Sequence, residues 1–193
     1  AFLENLTPHA DEVMLVDLES TDRTVEIAYE YTRNIFRKPH LICGDFYKEF
    51  LTYHASGDWL LWAYPDERFN PKFLAEIHIL ADSNEYDAYA LMRKEYRDGT
   101  LLPQYGTNAN PNYQNRLHRK FPNIFYTELV HAELHGSYRS CYLPEDYWME
   151  HWKDVSDQEF DNWRLYVEYK HLIWKYRDTR IEPFKTFVSS YRQ

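Results

Sequence analysis

The chain has 193 residues, a formal net charge of −9 and 44% hydrophobic residues, which fits one folded domain or one array of small units and argues against intrinsic disorder. The acidic balance counts against a nucleic-acid-binding protein, because such a protein normally neutralises phosphates with a basic surface. No apolar run approaches the ~18 residues that a membrane-spanning helix needs. Glycines number only 5, beside 18 Tyr, 11 Phe and 6 Trp. This composition favours helices packed on helices over an all-β chain or a glycine-rich nucleotide-binding fold.

The first half of the chain carries amphipathic runs with apolar residues at three- and four-residue steps. Residues 11–22 fit either a short helix or an extended lead-in. Helices are predicted over four ranges: 22–38, 44–56, 71–82 and 85–98. A short apolar turn at 59–64 separates the second helix from the third. Gly99 ends the fourth helix, and Pro103 follows closely.

The second half opens with the clearest loop of the chain, residues 103–115, which is rich in Asn and Pro and fits a hinge or a contact loop. A helix over 122–136 begins near Pro122 and ends at Gly136. A turn leads to 145–155, and the longest predicted helix, 157–178, follows a capping-box spacing of Ser156 and Glu159. No pair of strands stands out. The pattern therefore predicts an all-α fold over the single domain 1–193.

Three of these segments share a pattern of Phe, two residues, Glu and then an apolar residue. The matching positions are Phe46, Phe73 and Phe125 together with Glu49, Glu76 and Glu128. Their spacings are close to one and two periods of about 26 residues, which indicates stacked antiparallel helical hairpins that share a core. Chance alignment of amphipathic helices is the alternative reading of the same spacing.

The unit at 71–103 resembles a pentatricopeptide repeat, a helical hairpin related to the tetratricopeptide unit. Its first helix reads FLAEIHILADSN, and its second, EYDAYALMRKEYRDG, contains the Ala, Leu and Met residues and the terminal Gly of that family, followed by LLP. The resemblance implies a short α-solenoid. Most proteins of this family bind single-stranded RNA. The first helices of this chain carry acidic residues, which would repel phosphates, so RNA binding is only the alternative to the hypothesis that follows.

Size, acidity, aromatic content and degenerate repeats are similar to those of the euglenozoan-specific subunit on the catalytic head of mitochondrial ATP synthase. This resemblance implies a noncatalytic accessory subunit that binds the ATP synthase α subunit on the matrix side of the inner membrane, with no cofactor. The first residues, Ala1-Phe2-Leu3, fit removal of an initiator methionine or, as the resemblance suggests, of a targeting peptide. Cys43 and Cys141 fit buried thiols in a reducing compartment, and the sequence leaves open whether they pair.

The enzyme alternative rests on two Glu-x-x-His motifs. Glu128 with His131 and Glu168 with His171 have the spacing of a di-iron carboxylate site in a four-helix bundle. The remaining carboxylates would come from four candidates: Glu76, Glu95, Glu150 and Glu159. His131 and His135 lie four residues apart, but the zinc-protease order of residues is absent, so a surface pair is predicted. The leading hypothesis assigns the chain no catalytic, cofactor or metal residue.

Overall fold

The structure is a computed structural model that describes residues 2–39, 44–103, 111–120, 124–126 and 134–153. Its α-helices are α1 (Phe2–Leu6), α2 (Thr24–Ala28), α3 (Lys48–His54) and α4 (Pro71–Asp82). Its strands are β1 (Met14–Asp17), β2 (Asn34–Arg37), β3 (Trp59–Leu61), β4 (Glu67–Phe69), β5 (Ala88–Arg97), β6 (Thr100–Leu101), β7 (Tyr113–Arg119), β8 (Ile124–Tyr126), β9 (Leu134–Gly136), β10 (Ser140–Tyr142) and β11 (Trp148–Lys153). Short 3-10 turns cover Thr7–His9 and Gly44–Tyr47.

Seven of these strands form one mixed sheet. Its main path has the order β3-β7-β5-β11-β4, while β6 and β10 also pair with β5. Strands β10 and β11 run parallel to β5, whereas β6 and β7 run antiparallel to it. The ten-residue strand β5 therefore lies in the middle of the sheet, and residues Ala88–Met92 are all buried.

Helix α4 packs on one face of this sheet. The Asn70 side chain caps the helix by accepting a hydrogen bond from the Phe73 N–H at 2.9 Å, and Pro71 occupies its first turn. Phe73, Leu74 and Ile77 are buried against the sheet, and each contributes roughly 1.5–3 kcal/mol by leaving water. The main hydrophobic core consists of these residues with Phe69, Tyr89, Leu91, Leu117, Leu143 and Met149.

Two smaller sheets complete the described structure. Strands β1 and β2 pair in parallel from Met14↔Asn34 to Asp17↔Arg37, with α2 in the connection between them. Strands β8 and β9 form an antiparallel pair, and Ile124 and Leu134 pack on Ala88 on the sheet face opposite α4. No helix among the described residues is long and apolar enough to cross a membrane.

The prediction of an all-α fold of stacked helical hairpins is wrong, because most of the predicted helices are strands or contain strands. Helix α4 has the predicted bounds, and α3 lies inside the predicted range 44–56. The predicted helix 85–98 is instead β5, and 22–38 contains the short helix α2 followed by β2. The undecided range 11–22 is extended in β1.

Later elements differ in the same way. The predicted turn 59–64 begins with β3, the described ends of 122–136 are β8 and β9, and 145–155 contains β11. The three segments of the proposed repeat therefore fold differently, as α3, α4 and β8. Predicted helix 157–178 and most of loop 103–115 lie outside the described residues.

Candidate functional site

A cluster of charged side chains lies where β4, β5 and β11 meet at one end of the seven-stranded sheet. In the sheet register, His151 of β11 stands between Glu95 of β5 and Glu67 of β4. Because side chains alternate along strands, these three residues lie on the same sheet face as the core residues Leu91 and Met149. The hydrophobic core under α4 thus continues directly into a polar cluster.

His151 bridges two carboxylates. Its Nδ1 lies 2.8 Å from Glu95 Oε2, and its Nε2 lies 3.1 Å from Asp66 Oδ2. Arg93 forms an ion pair with the other Glu95 oxygen at 2.6 Å. His151 and Glu95 are buried, whereas the Asp66 side chain is 44% exposed. Asp66 is therefore the solvent-exposed carboxylate of a hydrogen-bonded series that runs from Asp66 through the His151 imidazole to Glu95.

These contacts set the charges of the series. Burial lowers the pKa of His151, but the hydrogen bonds and charges of Asp66 and Glu95 outweigh it, so the pKa lies above the ordinary histidine value. Burial raises the pKa of Asp66, and the His151 contacts reverse this, leaving it below the ordinary value. The pKa of Glu95 is lowered in the same way by His151 and Arg93. Asp66 is consequently an ionised, oriented and accessible carboxylate.

A buried ion pair supports the segment that carries Asp66. Arg116 Nη2 donates to Glu67 Oε1, and both side chains are almost fully buried. The other Glu67 oxygen accepts the Tyr64 backbone N–H at 3.0 Å, and the Arg116 guanidinium lies 5.3 Å from the centre of the Tyr64 ring. Burial raises the pKa of Glu67, and Arg116 offsets part of that shift. Together these contacts fix the backbone between β3 and β4.

A second ion pair lies beside this segment. Lys48 Nζ lies 3.0 Å from Asp45 Oδ1, and both side chains are largely buried. The Tyr64 hydroxyl donates a hydrogen bond to the same Asp45 oxygen. The Lys48 ammonium also lies between 5 and 6 Å from the ring centres of Trp62, Tyr64 and Tyr126, where cation–π attraction stabilises its charge.

Another buried histidine lies on the opposite face of the sheet. His118 Nδ1 donates to the Arg119 carbonyl at 2.8 Å, so Nε2 accepts hydrogen bonds from the Tyr126 hydroxyl at 2.6 Å and from Trp62 Nε1 at 3.1 Å. Burial lowers the pKa of His118 to about 4. His118 is therefore a neutral structural residue.

An open cleft of about 820 Å³ lies between the β1–β2 sheet and the β3 edge of the large sheet. Its lining includes Asp17 at the end of β1, Lys48, Tyr64 and Pro65, and Asp66 follows directly in sequence. The Asp17 side chain is buried, and within the described residues its Oδ2 receives no hydrogen bond and lies 3.6 Å from Arg37 Nε. The wall of the cleft therefore carries the buried Asp17 carboxylate, which is paired with Arg37, and the Lys48 ammonium, which is paired with Asp45.

The described residues contain no group of three or more His, Cys, Asp or Glu side chains that could hold a metal ion. Asp66 supplies one accessible carboxylate, whereas both His151 nitrogens are already hydrogen-bonded to carboxylates, so the imidazole has no lone pair to offer a metal. Mg²⁺ can be held by as few as one or two carboxylates when substrate phosphates complete its coordination. The Asp66 carboxylate therefore fits a divalent cation that arrives with a phosphorylated ligand.

The Glu-x-x-His residues Glu128, His131, Glu168 and His171 lie outside the described residues, as does Glu159. Of the remaining candidate carboxylates, Glu95 binds His151, Glu76 accepts from Tyr147, and Glu150 accepts from Trp152. These three make different contacts and do not converge. His135 stacks on Phe125, and Cys141 is a free cysteine.

Sequence reasoning missed Asp66, Glu67 and His151. One usable signal is local: the apolar run 59–62 is followed within five residues by Pro65, Asp66 and Glu67, which is typical of polar residues just beyond a buried strand. His151 carries no comparable local signal, because its partners are at least 56 positions away in sequence.

Residues 1–132 match the model of a family described as glycosyl transferase family 2. No curated protein matches the chain. Among solved structures, the chain is similar to S. aureus TarS 1–349, with a TM-score of 0.51 and 15% identity over 82% of this chain and 58% of that one. A structure of S. aureus TarS 1–349 in complex with UDP has a TM-score of 0.48, 16% identity and the same coverage.

The family match corrects the functional predictions. It extends over 132 of 193 residues and overturns the resemblance to a pentatricopeptide-like protein, the noncatalytic role and the ATP synthase α subunit as partner. The RNA-binding and di-iron alternatives are overturned with them. The mixed α/β architecture agrees with the match and is consistent with a GT-A fold. The mitochondrial location is tested by neither comparison and stays a prediction.

Proposed function

We propose, from the premise that the chain belongs to glycosyl transferase family 2, that it transfers a sugar from a nucleotide-sugar donor to an acceptor. The chain spans 58% of the length of the TarS structure that it resembles. The complete transfer reaction is therefore part of the proposal. The observation that carries the proposal is the accessible, ionised Asp66 held by His151 beside the cleft.

The reaction exchanges one bond to the anomeric carbon of the sugar for another. A hydroxyl oxygen of the acceptor attacks that carbon, the bond to the nucleoside diphosphate breaks with its electron pair on the diphosphate, and the acceptor proton passes to water. The leaving diphosphate therefore gains negative charge, which the site must stabilise. A divalent cation held by the Asp66 carboxylate would supply that stabilisation when bound.

The chain's own residues account for binding and orientation. Asp17 lines the cleft, and its Oδ2 accepts no hydrogen bond among the described residues, although it lies 3.6 Å from Arg37 Nε. This oxygen can receive an N–H or O–H group of the nucleoside. Lys48, whose ammonium is paired with Asp45, lines the same cleft. His151 holds the Asp66 carboxylate in one orientation, and Glu95 holds the imidazole in turn. The cleft thus receives the nucleotide, and Asp66 marks the end at which the sugar is transferred.

The test is an Asp66→Asn variant assayed with a panel of UDP- and GDP-sugars. Because the amide keeps the shape of the side chain and loses its charge, we expect sugar release or transfer to fall by about 100-fold or more. Calorimetry with Mn²⁺ and UDP should show weaker ternary binding, while an unchanged unfolding midpoint would confirm the fold. Full activity of Asp66→Asn, or no turnover of any nucleotide sugar by the intact protein, would reject the proposal.

A further inference from the structure

An exposed tryptophan lies directly beside the proposed reacting end. Trp152 follows His151 in β11, and its backbone N–H donates to the Asp66 carbonyl at 2.8 Å. Its side chain lies on the sheet face opposite the His151 ring, because side chains alternate along the strand. The backbones of Trp152 and Asp66 are thus neighbours, although the indole and the His151 ring lie on opposite sheet faces.

The indole of Trp152 is held in one orientation although it is 40% exposed. Tyr96 is its cross-strand partner, and the two rings stack with centroids 4.3 Å apart and an interplanar angle of 10°. The indole Nε1 donates to Glu150 Oε2 at 2.9 Å. One ring face and the polar edge are thus occupied, and the exposed remainder is a rigid apolar surface.

The neighbouring tryptophan of the same strand differs. Lys94 lies over the Trp148 ring at 4.2 Å from its centroid, so that ring is already covered by a cation. Trp148 is also less exposed than Trp152. A cation–π contact and a ring stack both stabilise a sheet surface. Of these two tryptophans, Trp152 is the one that combines a fixed indole with an exposed surface, and its backbone is bonded to that of Asp66.

We propose that Trp152 is a stacking platform for the pyranose ring of a carbohydrate substrate, an inference that rests on the proposed glycosyltransferase function. The face of an indole carries negative charge density, which attracts the partly positive C–H groups on the flat side of a pyranose. The Asp66 carbonyl accepts the Trp152 backbone N–H, so the indole lies one strand away from the proposed reacting end. Because Tyr96 and Glu150 already fix the indole, little side-chain entropy is lost on binding.

The stacked pyranose comes either from the donor or from the acceptor, and one experiment distinguishes them. Saturation-transfer NMR is recorded on the 193-residue chain with methyl glycosides of glucose, galactose, N-acetylglucosamine and mannose as acceptor probes. UDP, UDP-glucose and UDP-N-acetylglucosamine form the donor arm. The variants are Trp152→Ala, Trp152→Phe and, as a matched exposed-aromatic control, Tyr53→Ala on α3.

If the donor sugar stacks on Trp152, Trp152→Ala weakens binding of the UDP-sugars about tenfold and leaves UDP unchanged. If the acceptor stacks, saturation transfer to the methyl glycosides is lost and both nucleotide arms stay unchanged. Trp152→Phe keeps an aromatic face and should retain an intermediate signal. Tyr53→Ala should match the unsubstituted chain in every arm.

The proposal is overturned if Trp152→Ala behaves like the unsubstituted chain in both arms, or if the unsubstituted chain gives no sugar signal at all. Unfolding midpoints of the two Trp152 variants show whether each is folded, and Trp152→Phe provides the test if the alanine variant is not. Failure of the proposed glycosyltransferase function gives a different result from failure of the Trp152 proposal. UDP binding and turnover are then absent, whereas a Trp152-dependent signal from the methyl glycosides is retained.

Discussion

His118 and His151 are two buried histidines on the same sheet with opposite surroundings. His118, which is 1% exposed, meets a carbonyl, a hydroxyl and an indole N–H, all of them neutral. His151, which is 8% exposed, meets two carboxylates. Burial lowers the pKa of both imidazoles, yet only His151 ends above the ordinary value. The charge of the hydrogen-bonding partners, and not burial itself, therefore separates a structural histidine from one in a candidate active site.

The greatest loss of stability is expected from breaking the Glu67–Arg116 ion pair, which supports the His151 region. Glu67→Gln leaves the Arg116 guanidinium buried without a counter-charge, so we expect the free energy of unfolding to fall by about 3–5 kcal/mol. Urea denaturation at pH 7 measures it. If the loss comes from the stranded charge, adding Arg116→Met to Glu67→Gln should recover part of it. If the double variant loses as much free energy of unfolding as Glu67→Gln and Arg116→Met lose together, the stranded charge is not the cause of the loss.

The sequence allows part of this architecture to be predicted. The predicted bounds of helix α4 match the observed ones, because Phe73, Leu74 and Ile77 recur at helical spacing and are buried on one face. Strand β5 was misread as a helix because Ala88–Met92 are buried on both faces, so they lack the alternation of a half-buried strand. The sequence Asp98-Gly99 after β5 resembles a helix end. In the structure both residues have positive φ and form a two-residue hairpin turn between β5 and β6.

The candidate site could not be predicted to the same extent. Asp66 and Glu67 follow an apolar run and could have been selected as residues at the end of a strand. Joining them to Glu95 and His151, however, requires the parallel pairing of β5 with β11. Those strands are far apart in the chain and are joined through several other elements, so no local spacing indicates that they are neighbours.

The pH dependence of stability tests whether His118 is neutral in the folded chain. The folded pKa of His118 is about 4, below the unfolded value of about 6.5, so the unfolded chain binds more protons between these values. Stability should therefore fall as the pH drops from about 6.5 to 4, by up to about 1.4 kcal/mol per pH unit from this residue. Urea denaturation of the intact chain and His118→Gln across this range isolates the contribution.

The control for this measurement is the unsubstituted chain at the same pH values. In His118→Gln the slope should become shallower, even though the variant loses stability at neutral pH. An equal slope in His118→Gln and the unsubstituted chain would mean that His118 is protonated in the folded state, which would remove the contrast with His151.

The smallest effect separates the burial of His118 from its hydrogen bonding. Tyr126→Phe removes the hydroxyl that donates to His118 Nε2, while Trp62 Nε1 still donates to the same nitrogen. We therefore expect a loss of about 1–2 kcal/mol at pH 7. The pH slope between 4 and 6.5 should stay unchanged, because desolvation is the main cause of the lowered pKa. Denaturation curves of Tyr126→Phe at pH 5 and pH 7 decide this. A slope that flattens as in His118→Gln would show that the hydroxyl keeps His118 neutral, and the contrast between the two histidines would then depend on one hydrogen bond more than on burial.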